Sequence, residues 1–100
     1  MHEGELDPVI HAQARLRVMA ALSTLDDGDQ VTFPRLQEIL GMTAGNLSAH
    51  LRKLEDAGYV DLTKKFSGRM PTTLVALSRR GRHAFEEYTA AVRALLDPPK

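Results

Sequence analysis

The sequence predicts a mainly α chain carrying one small β-hairpin, and three observations point there. Apolar residues recur at helical spacing over most of the 100 residues, and a single stretch after Gly58 switches to strict alternation. Five aromatics and no Trp leave Leu, Val, Ile, Met and Ala to build the core, which suits packed helices better than a sandwich or barrel. A hydrophobic fraction of 43% supports one modest core, so residues 1–100 read as one domain with no room for a separate sensor domain.

Residues 1–7 read as a flexible acidic N-terminus. Asp7 and Pro8 then look like the N-cap and first-turn proline of a first helix over 8–25. On a helical wheel Leu16, Met19 and Ala20 share a face with Val9, while Val18, Leu22 and Leu25 lie opposite. A helix apolar nearly all round is covered on both sides, by its own core and by a partner subunit. Asp26, Asp27, Gly28 and Asp29 form a turn cluster, and residues 30–32 read as a very short strand. A helix-turn-helix follows over 33–58. Pro34 opens its first helix, where Leu36, Ile39 and Leu40 share a face, and Gly41 with Met42 makes the tight turn. Thr43 caps the next helix, and Gly58 stops it in a left-handed conformation. Leu47, Leu51 and Leu54 fall within about 60° on the wheel and form its buried stripe.

Residues 59–77 read as a hairpin. Val60, Leu62 and Lys64 alternate with Asp61, Thr63 and Lys65, Ser67 and Gly68 mark the turn, and residues 72–77 return as a Thr- and Val-rich strand. Ser78 caps a last helix over 78–96, stopped by Pro98 and Pro99. Phe85, Tyr88, Val92 and Leu95 give it a heptad-like seam suited to docking on a twin copy. The order of helix, helix, tight turn, helix, basic hairpin and helix is that of a winged helix-turn-helix, here dimerised through its N- and C-terminal helices. Leu16, Val18, Leu22, Phe85, Tyr88, Val92 and Leu95 are the expected interface.

A formal net charge of zero hides an asymmetry: residues 1–30 hold two basic and six acidic side chains, 31–82 nine and four, and 83–100 two and three. The cationic excess therefore coincides with the helix-turn-helix and hairpin. The outer face of the third helix carries Gly45, Asn46, Ala49, Arg52 and Lys53, flanked by Ser48 and His50. Small residues at its start let the backbone approach a major groove, with Asn46, Ser48 and His50 for base edges and Arg52 and Lys53 for phosphates or guanine. Its N-terminus near Thr43 offers backbone donors to a phosphate. Arg69 is placed to enter a minor groove and Lys64 and Lys65 to neutralise flanking phosphates. Arg79, Arg80 and Arg82 oppose the dipole of the last helix, which suggests another anion, the DNA backbone.

Residues 46–60 (NLSAHLRKLEDAGYV), 64–73 (KKFSGRMPTT) and 74–88 (LVALSRRGRHAFEEY) together resemble the winged helix DNA-binding family of small regulators related to the MarR and ArsR groups. The resemblance implies a homodimer on a pseudo-palindromic operator in double-stranded DNA, most often acting as a repressor. It maps the recognition helix onto Thr43, Ala44, Asn46, Ser48, Ala49, His50 and Lys53, and the wing onto Arg69. The absence of Cys departs from thiolate metal sensors, so metal sensing through thiolates is not carried over. It also excludes a disulfide framework and Cys-based catalysis.

Ser48 and His50, two apart on a helix, cannot pair as nucleophile and base, and the adjacent Glu86 and Glu87 point in different directions. The expectation is therefore no enzyme, no cofactor and no metal. With no apolar signal core near the start and no run of about 18 apolar residues, a cytoplasmic protein without membrane contact is expected. The rival readings are a protein-interaction module on the same fold, and a sensor with a small-molecule effector at the dimer interface. The sequence identifies no such effector.

Overall fold

A computed structural model describes residues 5–97. Its elements are α1 (Gln13–Ser23), β1 (Val31–Thr32), α2 (Phe33–Leu40), α3 (Ala44–Asp56), β2 (Val60–Ser67), β3 (Met70–Leu77) and α4 (Arg79–Leu96). The three strands form one antiparallel sheet in the order β1-β3-β2, with Val31 opposite Val75 and Lys64 opposite Thr73. Two of the helices start on the residues whose chemistry predicts it. Thr43 Oγ1 accepts from Asn46 N at 3.1 Å, and Ser78 Oγ accepts from Gly81 N at 2.9 Å. Gly41 ends α2 at φ +66°, a left-handed conformation that glycine adopts without steric cost.

The core joins all four helices to the sheet. Val18, Met19 and Leu22 of α1 meet Leu36 and Leu40 of α2, the Leu47, Leu51 and Leu54 stripe of α3, and Val60 and Val75 of the sheet, with Ile10 and Tyr88 closing its ends. The close approach of α4 rests on Gly81. A β-carbon there would stand 1.9 Å from the Tyr59 carbonyl oxygen, which itself accepts from Ser78 N at 3.0 Å.

Five expectations need correcting. The first helix does not span 8–25. Asp7 Oδ1 does accept from Val9 N at 2.8 Å, but only one turn forms before Ala12 goes extended at φ −137°, ψ 127°. The cause is tertiary: Ile10 is fully buried, and Arg15 Nε takes the Val9 carbonyl at 2.6 Å, so the turn is held by the core and not by a continuing ladder. Residues 5–7 are not a loose tail either, because Leu6 packs on the core and Tyr59 Oη donates to Asp7 Oδ2 at 2.5 Å. Residues 1–4 of that expected tail, and Pro98 and Pro99, lie outside the described residues.

The hairpin strands run further than expected, to Ser67 and from Met70, leaving Gly68 and Arg69 as a two-residue turn. Gly68 has φ +66°, the positive value such a turn demands of its first central residue. Finally, Val18 and Leu22 are wholly buried in the chain's own core and Tyr88 nearly so, packed on His11 through a 2.8 Å hydrogen bond. None of the three has surface left for a partner subunit. Val18, Met19 and Leu22 form one buried face of α1, where the wheel had set Met19 against the other two.

Candidate nucleic-acid interface

From α3 outward, the leucine stripe faces the core and the opposite side of the helix is bare. Thr43, Ala44, Gly45, Asn46, Ser48, Ala49, Arg52 and Lys53 are all exposed. The stripe places Ser48 and Arg52 on one flank of the helix and Lys53 on the other. On the first flank α3 and β2 enclose an open groove of ≈ 680 Å³ lined by Phe33, Ser48, Leu51, Arg52, Glu55, Leu62, Lys64 and Thr73. The fold thus brings Ser48, Arg52 and Lys64, far apart in sequence, around one depression. Lys53 lies away from them, beside Val9, Arg15 and Asp56.

The wing projects beyond the body, and every residue over 63–71 is exposed. Strand alternation sends Lys64 to the groove side and Lys65 to the opposite face, while Arg69 occupies the turn. Among the described residues the salt bridges are Arg35 to Glu38, Arg82 to Asp27 and His83 to Glu87, so Arg52, Lys53, Lys64, Lys65 and Arg69 have no acidic partner. Exposed, unneutralised cations on a helix face and an adjacent hairpin make a surface that attracts polyanions.

The fold constrains two of the residues expected to make contacts. His50 is half-buried at the core edge, with Nδ1 shut off from solvent and without a hydrogen-bond partner, so that nitrogen faces no ligand. Arg82 is tied down by Asp27 at 2.6 Å and the Leu25 carbonyl at 3.3 Å, which explains a cation at the start of α4 without an external anion. Arg79 and Arg80 stay exposed. Two further features of the surface are Glu55, an acidic group inside the groove, and the apolar wing tip of Phe66 and Met70, which are 73% and 69% exposed; neither is among the residues expected from the sequence. The tip was legible in principle, since Phe66, Met70 and Pro71 bracket the Gly68 turn signal.

Among the described residues the Tyr59 phenol is the one strongly shifted group. Burial, and after it the Asp7 carboxylate to which it donates, push its pKa from 10.0 up to about 12. It belongs to the core rim behind α3, not to the exposed face. Among the described residues no cluster of three or more His, Cys, Asp or Glu is placed to hold a metal, and no helix is long and apolar enough to cross a membrane.

A helix-turn-helix followed by a projecting hairpin and a long closing helix defines the winged helix class of regulator fold. The chain belongs to the winged helix DNA-binding domain family, whose model matches residues 14–96. It is 32% identical over 80 residues to an uncharacterized protein of Methanocaldococcus jannaschii, an alignment covering 80% of this chain and 84% of that one. Its structure is similar to that of a transcriptional regulator homologue from Pyrococcus horikoshii OT3, with TM-score 0.81 and 28% identity over 89% of this chain and 85% of the other. A transcriptional regulator of the MarR family from Enterococcus faecalis V583 superimposes with TM-score 0.71 at 21% identity, covering 85% and 74% of the two chains. S. aureus MepR, solved as a DNA complex, gives TM-score 0.67 at 16% identity, covering 94% and 70%. The last two likenesses are ones of fold.

Proposed function

We propose that this protein is a double-stranded DNA-binding transcriptional regulator that acts as a homodimer on a pseudo-palindromic operator, in the manner of a repressor. Family membership supports the class, and a protein with the same fold has been solved in complex with DNA. The observation that carries the reading is the groove between α3 and β2, where Ser48, Arg52 and Lys64 converge beside a helix face free of bulky groups. With α3 in a major groove, Gly45 and Ala49 allow close approach and Asn46 and Ser48 meet base edges. Arg52 and Lys64 then straddle the phosphate backbone that runs between helix and wing, and Arg69 reaches the next minor groove.

The homodimer draws on what remains of the expected interface once Val18, Leu22 and Tyr88 are assigned to the core. Leu16, Phe85 and Val92 are half-buried and Leu95 is 57% exposed, joined on α4 by Leu96 at 80%. A pair of copies would set two α3 helices about 34 Å apart, one turn of DNA.

The test is a mobility-shift titration with a pool of genomic fragments. The native protein is expected to select a subset of fragments, and Arg52→Ala combined with Lys64→Ala is expected to weaken binding to all of them by roughly tenfold or more, since each lost phosphate contact acts without regard to sequence. Equal binding by native protein and double variant would refute the placement.

A further inference from the structure

We infer that the wing tip is an apolar wedge, with Phe66 backed by Pro71, that presses into a base step of the minor groove and so makes the protein sensitive to how easily the DNA flanking each half-site deforms. The inference rests on the DNA-binding reading and adds a specificity element that cationic contacts do not supply.

The geometry begins with the ladder. Phe66 pairs with Pro71 and Ser67 with Met70 at the outer end of the hairpin. Because side chains alternate, Leu62, Lys64 and Phe66 form one row along β2, and that row runs from the groove beside α3 to the tip. Whatever polyanion lies against Lys64 is therefore presented next to Phe66. Beyond them the two-residue turn holds Arg69 at the extreme end, where a guanidinium would be drawn into the negative floor of a minor groove.

The chemistry of the tip is costly without an occupant. At 73% and 69% exposure Phe66 and Met70 leave large apolar surfaces in water, at a place where no other described residue covers them. Cations, threonines, Ser67 and Gly68 make up the rest of the outer hairpin, as expected of a solvated edge. Pro71 adds stiffness, because its ring fixes φ. It also lies in the part of β3 beyond the short pairing with β1, where its missing N–H costs the sheet nothing on that side. A stiff apolar point between cations has the makeup of side chains that insert between base pairs and partly unstack them. Such a wedge favours pyrimidine–purine steps, which open at the least cost, over stiff A-tracts.

The test is selection from random-sequence duplex DNA by the native protein and by Phe66→Ser and Phe66→Leu. The native pool is expected to show paired half-sites, each flanked at a fixed distance by an enriched TA or CA step. Phe66→Leu keeps that enrichment, and Phe66→Ser keeps the half-sites but loses it. On the native protein alone, 2-aminopurine placed at the enriched step should brighten severalfold on binding as the base unstacks. Half-sites without a flanking preference, a preference unchanged by Phe66→Ser, or an unchanged 2-aminopurine signal would each overturn the wedge and leave DNA binding standing. A pool with no motif at all would overturn both.

Discussion

Two glycines on helices behave oppositely, and the difference is one of neighbours. At Gly81 an added β-carbon meets the Tyr59 backbone at 1.9 Å, and backbone cannot swing aside as a side chain can. Gly81→Ala is therefore expected to destabilise the fold by about 3 kcal/mol in urea unfolding, at the upper end of overpacking costs. At Gly45 nothing lies within 4 Å, so Gly45→Ala is expected to gain up to about 1 kcal/mol from helix propensity. On the proposed DNA face that same methyl stands between backbone and base edges, so the stabilised variant is expected to bind DNA more weakly. If Gly45→Ala binds DNA as well as the native chain, α3 does not approach the bases closely. Gly45 was legible in the sequence as a small residue on an exposed helix face, whereas nothing in the sequence shows that Gly81 meets the Tyr59 backbone.

Elements with chemical punctuation were legible, and the one governed by tertiary packing was not. Thr43, Gly41, Gly58 and Ser78 mark boundaries through their own hydrogen bonds or φ values, and the structure ends or starts elements there. Asp7 and Pro8 carry an equally clear start signal that yields a single turn, because Ile10 is drawn into the core and Asp7 is shared with Tyr59. That shared contact gives the N-terminal segment a pH dependence. The Tyr59 phenol is held neutral, with its pKa raised from 10.0 to about 12, so its stabilising contribution is complete below about pH 10 and is lost as pH rises through about 12. Unfolding measured across that window is expected to show stability falling with pH, and Tyr59→Phe is expected to flatten the fall. An identical slope in the variant would mean the contact is broken in solution.

Across the chain as a whole, the cationic excess over residues 31–82 was legible in the sequence, but which of those cations stay unpaired was not: Arg35 and Arg82 pair with Glu38 and Asp27, while Arg52, Lys53, Lys64, Lys65 and Arg69 stand exposed. The partner face was harder to read. A wheel shows that a helix has two apolar sides but not which one its own core takes, and α1 gives Val18 and Leu22 inward. Away from the wing tip and Ile39, the exposed large apolar side chains are Leu95 and Leu96 of α4, in a molecule measuring 59 × 25 × 22 Å. Analytical ultracentrifugation is expected to show a dimer that Leu95→Asp with Leu96→Asp converts to folded monomer. A native monomer at tens of micromolar would remove the dimer from the account.

In the proposed complex the exposed cations of α3 and the wing lie on phosphates, and the salt dependence of DNA binding reports how many do so. With Arg52, Lys53, Lys64 and Lys65 of each protomer on phosphates and Arg69 in the minor groove, log K plotted against log salt concentration should fall with a slope of about −7 for a dimer. A slope near zero, with binding intact, would contradict the claim.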